Sequence, residues 1–359
     1  MGGGDSSPPF SLAAHNRDLP VGFNGDTRRA MPLPAASPLR GRFAPSPTGG
    51  LHLGSALAAL AAWASVRAQG GSFVYRIEDL DRPRAVAGAA EQQMEELRWL
   101  GLDWDAGPDV GGPHAPYRQS ERSAHYEAAL DRLAGAGHLF PCHHSRKDLL
   151  TLATAPHGLE GLPPYPKALR PAALDAGWYE RLRTDPHPDA ALRFRVRDRP
   201  VVFHDRVQGR VEERVGETVG DFVLKRRDGV YAYQLAVVVD DLAMGITEVV
   251  RGADLLDSTA RQLQLIEALG GRPPAYAHVP LVVSESGEKL SKRDGALTLA
   301  AFRDAGVAPD AFVGLLAHVL GQLDAPTPLP ARALAGRFDW ARVRPAPWRV
   351  PADLASGLR

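Results

Sequence analysis

The stretch "RGRFAPSPTGGLHLGSALAALAAWASVRAQGGSFVY", residues 40–75, decides the fold. "RGRFA" can form a short strand, which the two prolines and two glycines of "APSPTGG" end. The alanine-rich segment that opens at Ser55 and stops at Gly70-Gly71 is typical of a buried helix. "SFVYRIEDLD" alternates apolar and polar residues and predicts a second strand with its C-terminal loop. Strand, turn, helix and strand in this order predict an α/β fold with a parallel sheet.

The rest of the chain repeats this alternation at both ends but changes in the middle. "EQQMEELRWLGL" and "ERSAHYEAALDRLAGAG" predict helices, whereas the proline-rich middle contains two stretches of β-hairpin type, "LRFRVRD" and "RPVVFHDRVQGRVEERV". The apolar run of "YAYQLAVVVDDLAMGITEVVRG" predicts a buried parallel strand with a turn at Asp240-Asp241. A helix ("TARQLQLIEALGG"), a strand ("AHVPLVVS") and a tail helix ("APDAFVGLLAHVLG") follow. We expect a disordered leader over 1–38, two halves of one α/β domain over 39–140 and 230–300, an insertion over 141–229, and a helical tail over 301–359.

Composition narrows the class of protein. The 359 residues are 44% hydrophobic with a formal net charge of +0, so an apolar core is possible and the charge neither supports nor excludes a nucleic-acid partner. The single cysteine, Cys142, excludes an internal disulfide and fits a reducing compartment. No apolar run reaches the ~18–20 residues that span a bilayer, and the N-terminal segment lacks the pattern of a secretory signal. We expect a cytoplasmic protein that does not contact a membrane.

The turn before the first helix has the features of a phosphate site. Gly49, Gly50 and Gly54 allow backbone N–H groups to approach a phosphate, and the N-terminus of the helix, near His52 and Ser55, adds partial positive charge. The alternative is a glycine-rich turn that binds nothing, because a short glycine pattern alone is weak evidence.

The stretch "GEKLSKRDG", residues 287–295, holds two of the five lysines of the chain, Lys289 and Lys292. Lysine is a compact charge on a long stem, which suits it to follow a polyphosphate as charge moves. The alternative is a solvated surface turn. The scarcity of lysine elsewhere favours a function for the pair.

Together, "HLGS" and "KLSKR" resemble the HIGH and KMSKS signatures of class I aminoacyl-tRNA synthetases. Within that class, "GRFAPSPTGGLHLGSA", "YRIEDLDRPR", "YQLAVVVDDLAMGITEVVRGADLLDST" and "HVPLVVSESGEKLSKRDGA" resemble the glutamyl subgroup over about residues 41–300. The resemblance implies a Rossmann-type parallel-sheet catalytic domain with a small inserted domain and a short helical C-terminal tail. It implies His52, Lys289 and Lys292 as catalytic residues that clamp the leaving pyrophosphate, and an ATP site at His52, Gly54, Ser55 and Lys292. Magnesium is expected to arrive with ATP.

Glutamate has two carboxylates and one ammonium, so a selective site needs about two cations and one anion. The resemblance implies that Glu78 holds the α-amino group, and it leaves open which arginine binds which carboxylate. Taken singly, each of these side chains is more often a surface ion-pair member or a tyrosine at the edge of a core. The implied glutamate-binding residues are Arg42, Phe43, Ala44, Pro45, Ser46, Glu78, Tyr233 and Arg251.

Only 66 residues follow Arg293, too few for the anticodon-binding domains of a full glutamyl-tRNA synthetase. The shortened form resembles the glutamyl-Q tRNA(Asp) synthetase family, as does "FDWARVRPAPWRVP" in the tail. That resemblance implies a monomer that activates glutamate without tRNA and transfers it to the queuosine base at the wobble position of tRNA(Asp). The alternatives are a minimal glutamyl-tRNA synthetase that charges a tRNA 3′ end, a silent tRNA- or partner-binding paralogue, and an adenylyltransferase of a small cofactor.

The insertion departs from this family at a zinc site of the form C-x-C followed by Y-x-x-x-C. Here Cys142, His144 and Tyr165 supply at most three ligands, because Leu169 replaces the last cysteine, whereas structural zinc takes four. The pattern favours loss of the zinc. Substitution by His143 or His157 is the alternative.

Overall fold

A six-stranded sheet is the centre of the structure, a computed structural model that describes residues 38–145, 148–149, 164–185, 188–288, 297–351 and 354. The described strands are β1 (Arg40–Phe43), β2 (Ser72–Tyr75), β3 (Leu139–Cys142), β4 (Ala191–Phe194), β5 (Val201–Asp205), β6 (Gly209–Glu213), β7 (Val223–Lys225), β8 (Glu248–Gly252), β9 (Ala275–Val279), β10 (Val282–Val283) and β11 (Trp348–Arg349). The described α-helices are α1 (Leu53–Ala68), α2 (Ala89–Trp99), α3 (Ser123–Gly135), α4 (Trp178–Thr184), α5 (Val215–Thr218), α6 (Tyr233–Ala243), α7 (Ser258–Ala268), α8 (Leu299–Asp304), α9 (Pro309–Val319) and α10 (Ala331–Ala335). The expected leader lies outside the described residues up to residue 37.

The opening strand, helix and strand form as predicted. β1 and β2 pair in parallel with Arg40 opposite Ser72, and α1 packs against β1 and β8. Gly41 permits this packing, because a Cβ there would stand 2.5 Å from Val66 Cγ2. The sheet order β2-β1-β8-β9-β5-β6 then places β1 between β2 and β8, and both of its pairings are parallel. This confirms the α/β fold class.

The apolar run after residue 232 was predicted to be a strand, and that prediction is wrong. Residues Tyr233–Ala243 form helix α6, and the strand of this block is β8, which begins at Glu248. The run "QLAVVV" is buried over its whole length, so it lacks the apolar and polar faces by which periodicity separates a helix from a strand. The predicted turn at Asp240-Asp241 is therefore wrong as well, because both residues lie in the last turn of α6 with buried side chains.

The predicted hairpin forms between β5 and β6, with Val201 opposite Glu213. It extends the main sheet, because β5 runs parallel to β9 with Asp205 opposite Tyr276. The hairpin thus contributes to the same sheet as the strands on either side of the expected insertion. A separate three-stranded antiparallel sheet, β3-β4-β7, forms from other parts of that middle region and from the residues just before it, because β3 begins at Leu139.

The tail packs on the first helix. Helix α9 forms as predicted from "APDAFVGLLAHVLG", and both α9 and α10 contact α1. The indole of Trp340 donates a hydrogen bond of 2.9 Å to Ser65 Oγ on α1, and β11 pairs in parallel with β10. Among the helices of the described ranges, none is both long enough and apolar enough to cross a membrane.

Candidate active site

A cleft of about 800 Å³ opens beside the carboxyl ends of β1 and β8. In open α/β sheets this is the edge at which ligands bind, because strand ends and following loops converge there. The predicted residues that line the cleft are Arg42, Phe43, Ala44, Pro45, Ser46, His52, Gly54, Ser55, Glu78, Tyr233 and Arg251. The structure thus brings together every predicted ATP- and glutamate-binding residue that it describes. Lys289 and Lys292 lie outside the described residues.

The glycine-rich turn leads directly into α1. His52 is the N-cap of this helix, and its Nδ1 accepts a hydrogen bond of 3.3 Å from the backbone N–H of Ser55. The Ser55 hydroxyl lies 3.0 Å from His52 Nε2. The first turn of α1 is therefore fixed beside the cleft, where the N-terminus of a helix favours an anion.

Helix α2 holds this turn through two side chains that the sequence did not single out. Glu96 Oε2 accepts a hydrogen bond of 2.6 Å from the N–H of Leu51, next to His52. Gln93 Nε2 donates to the carbonyl oxygens of Ser46 at 3.1 Å and of Gly49 at 2.7 Å. Both side chains are buried, at 3% and 2% exposure for Gln93 and Glu96. Their signal in the sequence is a pair of polar residues three apart on the apolar face of an otherwise amphipathic helix.

The two ends of the lysine stretch flank the same cleft. On one side Leu281 and Val282 line the cleft, and the turn that follows reaches Glu288. On the other side Thr298 forms a β-bridge with His52, and Leu299 donates a hydrogen bond of 2.9 Å to the carbonyl of Leu51. The chain therefore leaves the cleft before Lys289 and returns to it beside the glycine-rich turn.

A fully buried guanidinium, Arg76, organises the acidic side of the cleft. It donates to Asp241 Oδ1 at 2.8 Å and to Glu78 Oε1 at 3.0 Å, and its Nε lies 3.7 Å from Asp240 Oδ2. Arg42 Nε makes a longer contact of 3.4 Å to the same Asp241 oxygen. Asp240 and Asp241 are thus structural anions for buried arginines.

These contacts set different proton affinities for the two acids beside the cleft. Burial raises the pKa of Glu78 above its ordinary value, and the attraction of Arg76 only partly opposes this effect. Burial acts in the same direction on Asp241, yet Arg42 and Arg76 outweigh it and lower its pKa. A further cation in the cleft would therefore stabilise the ionised form of Glu78 more than that of Asp241.

Arg251 is a buried cation with neutral partners. It is 5% exposed, and it donates to His278 Nε2 at 3.0 Å, to Gln262 Oε1 at 2.8 Å and to Thr259 Oγ1 at 2.9 Å. A fourth contact of 3.4 Å reaches the hydroxyl of Tyr233, the first residue of α6. Within the described ranges no carboxylate pairs with it. A buried guanidinium without a carboxylate is a strong site for an anionic ligand.

The residues of the suspected zinc site are used otherwise. Burial, followed by the neighbouring Cys142 thiol, raises the pKa of Tyr165, so its hydroxyl stays protonated, and it donates to the Leu169 carbonyl at 3.2 Å. His143 faces Asp189 at 3.1 Å on the surface. Where residues are described, no three His, Cys, Asp or Glu side chains converge as metal ligands, so these residues do not fit zinc. His157 lies outside the described residues, so its role as a replacement zinc ligand stays a prediction.

The architecture is that of a Rossmann-type α/β domain with its ligand cleft at the carboxyl ends of parallel strands. Residues 38–322 match the family model of "tRNA synthetases class I (E and Q), catalytic domain", and the chain belongs to that family.

Two curated relatives and one solved structure are similar to this chain over most of its length. The glutamyl-Q tRNA(Asp) synthetase of Symbiobacterium thermophilum is 49% identical over 322 residues, which cover 89% of this chain and 98% of that protein. The glutamyl-Q tRNA(Asp) synthetase of Nitratidesulfovibrio vulgaris is 46% identical with the same coverage of both chains. A glutamate tRNA ligase from Elizabethkingia meningosepticum, crystallised in complex with its amino acid, matches with a TM-score of 0.78 and 32% identity, over 89% of this chain and 68% of that chain.

Proposed function

We propose that the protein is an ATP-dependent ligase that activates L-glutamate without tRNA and transfers it to the queuosine base at the wobble position of tRNA(Asp). The observation that carries the proposal is the charge pattern of the cleft. Arg251 is a buried cation with neutral described partners, and it shares the cleft with Glu78, a carboxyl with a raised pKa. A zwitterionic acidic amino acid supplies a carboxylate for Arg251 and an ammonium group for Glu78.

Glutamate is held in this cleft by complementary charges. Arg251 and Arg42 bind its two carboxylates, and Glu78 binds the α-amino group. The hydroxyls of Tyr233 and Ser46 supply polar contacts, and Phe43, Ala44 and Pro45 form the adjoining wall of the cleft. A substrate without the side-chain carboxylate leaves a buried guanidinium unpaired, which supports selection of glutamate over glutamine.

In the activation step a glutamate carboxylate oxygen attacks the α-phosphorus of ATP, and pyrophosphate leaves. The N–H of Gly54, the Ser55 hydroxyl and the His52 ring bind phosphate oxygens at the start of α1. Lys289 and Lys292 neutralise the charge that develops on the leaving pyrophosphate, and this role is supported by the return of the chain to His52 at Thr298. Magnesium enters with ATP as part of the substrate.

The transfer to queuosine is supported by the relatives, which bear the name glutamyl-Q tRNA(Asp) synthetase and are covered over 98% of their length. We propose the same acceptor here, with a monomeric enzyme acting in the cytoplasm. We also propose that residues 39–140 and 230–300 form the catalytic halves and 141–229 the insertion between them, with the β5–β6 hairpin of the insertion joined to the catalytic sheet. The alternative function is charging of a tRNA 3′ end.

Transfer of radiolabelled glutamate onto two tRNA pools tests the proposal, one pool containing queuosine and one lacking it. Each pool is used intact and after enzymatic removal of the 3′-terminal nucleotides. We expect label only in the queuosine pool, and we expect it to survive removal of the 3′ end. Label in both pools that disappears with the 3′ end indicates a minimal glutamyl-tRNA synthetase. No label in either pool, together with no glutamate-dependent exchange of pyrophosphate into ATP, indicates a silent paralogue.

A further inference from the structure

The contacts of Arg251 lead to a second layer of residues. His278, on β9, is fully buried, and its Nε2 faces two donors, Arg251 Nε at 3.0 Å and the Thr259 hydroxyl at 3.3 Å. Because a guanidinium N–H can only donate, Nε2 must accept, and it must therefore be unprotonated. The proton of the neutral ring is then on Nδ1.

Asp205 fixes that proton. Its Oδ2 lies 2.6 Å from His278 Nδ1. Its Oδ1 accepts from the backbone N–H groups of Val207 and Gln208, each at 2.9 Å, and of His278 at 3.1 Å. Three fixed donors on Oδ1 and one on Oδ2 leave the carboxylate a single orientation. Asp205, His278 and Arg251 thus form a buried chain from the end of β5 through β9 to β8.

The proton affinities of the two groups agree with this chain. Burial lowers the pKa of His278, and the nearby Arg251 lowers it further, so the ring is neutral at neutral pH. Burial acts to raise the pKa of Asp205, but the hydrogen bonds from His278 and from the backbone outweigh this and lower it. A neutral imidazole lets Arg251 keep its full charge for a ligand while one N–H group of the guanidinium is held in place.

We propose that Asp205 and His278 are positioning residues for ligand binding by Arg251, in that Asp205 fixes the His278 tautomer and His278 fixes the guanidinium. The inference rests on the proposed glutamate site, and it assigns a part in substrate recognition to the β5–β6 hairpin. The hairpin lies in the middle region of the chain, yet it delivers Asp205 to the sheet beside β9.

An isosteric substitution separates this role from simple packing. In Asp205→Asn the side-chain oxygen stays with the three backbone N–H groups, so the amide NH2 replaces Oδ2 and donates to His278 Nδ1. The ring must then carry its proton on Nε2, which turns an N–H group toward the N–H of Arg251. A reversed tautomer of this kind disables a site while its geometry is retained.

The test combines ring nitrogen NMR with kinetics on the full chain. The protein is labelled with 15N-histidine, and the His278 signals are assigned with His278→Gln. We expect Nδ1 protonated in the wild type and Nε2 protonated in Asp205→Asn. The Michaelis constant for glutamate in pyrophosphate exchange should rise at least about tenfold in Asp205→Asn, with a smaller change in kcat, because a charge-assisted contact is lost.

Two substitutions of His278 test whether an acceptor for Arg251 is what glutamate binding needs. The Gln oxygen in His278→Gln can take the position of Nε2 and accept from Arg251, so the Michaelis constant for glutamate should stay within about threefold of wild type. His278→Asn keeps a donor for Asp205 but lacks an acceptor for Arg251, so it should behave like Asp205→Asn. Exposed neighbours give matched controls, His204→Gln on β5 and Glu212→Gln on β6.

The outcomes separate this inference from the proposed function. A wild-type Nε2–H tautomer, or equal glutamate constants in Asp205→Asn, His278→Asn and wild type, overturns the positioning role. A wild-type protein that lacks glutamate-dependent exchange overturns the proposed function, and the tautomer shift in Asp205→Asn then still tests the proton arrangement.

Discussion

Replacement of Arg251 by alanine tests the central feature of the cleft. The guanidinium is 5% exposed and contacts His278, Gln262 and Thr259, so a bound carboxylate would be its one anionic partner among the groups described. Truncation of one member of a buried charge pair costs about 2–5 kcal/mol, which lowers kcat/KM for glutamate by about 30-fold to 5,000-fold.

Fold stability should change much less than activity in this variant. Removal of the side chain also removes a buried charge, and because Arg251 lines the cleft, water from the cleft can enter the space it leaves and bind the freed acceptors. The assay is pyrophosphate exchange with glutamate varied, alongside thermal unfolding. The matched control is Arg272→Ala, an exposed arginine in the turn after α7.

A competitor resolves which carboxylate Arg251 binds. If Arg251 binds the side-chain carboxylate, Arg251→Ala weakens glutamate and leaves inhibition by glutamine unchanged; if it binds the α-carboxylate, both weaken together. A folded Arg251→Ala protein with a glutamate kcat/KM within twofold of wild type would refute the assignment of Arg251 to the site.

The remaining predictions concern the leaving group, the acidic cluster and pH. Lys292→Ala should lower the rate of activation far more than it weakens glutamate binding, since the clamp acts in the transition state; an equal loss in equilibrium binding contradicts that role. Arg76→Met should destabilise the fold by about 3–5 kcal/mol, because it leaves buried Glu78 without its described ion-pair partner and removes one of the cations beside Asp240 and Asp241, and a denaturation midpoint like that of exposed Arg210→Met contradicts this. Glu78→Gln should raise the Michaelis constant for glutamate and reduce its dependence on acid pH. The pKa of Glu78 is raised, so wild-type affinity falls as pH drops through a window above the ordinary glutamate value, and a wild-type constant flat across that window argues against the ammonium contact.

The elements that the sequence predicts correctly have local signals. The prolines and glycines of residues 44–50 bound β1 and α1, and β2 opens the stretch "SFVYRIEDLD" that was predicted to be a strand and its loop. Helix α6 carries no such signal, because a segment buried on all sides has no polar face to set its period. The cleft residues were predicted through motifs that meet at one edge of the sheet.

The residues that sequence reasoning missed act through distant partners. Arg76 bonds Asp241 across 165 positions, and His278 bonds Asp205 across 73. Neither pair has a spacing that local periodicity detects. In the sequence alone, an arginine in a predicted strand and a histidine two residues before a proline are unremarkable.

The position of β1 between β2 and β8 has a consequence for the order of events during synthesis. β1 and β2 are neighbours in the chain, but Gly41 pairs with Glu248, and the cleft also needs His278. At about 5–20 residues per second, the ribosome makes residue 278 roughly 10–50 s after residue 42. Until β8 is made, one edge of β1 has no partner strand, so the nascent chain exposes unpaired backbone N–H and C=O groups that favour chaperone binding. Pairings of such long range also slow folding itself, so the rate at which β8 docks should set the rate at which activity appears.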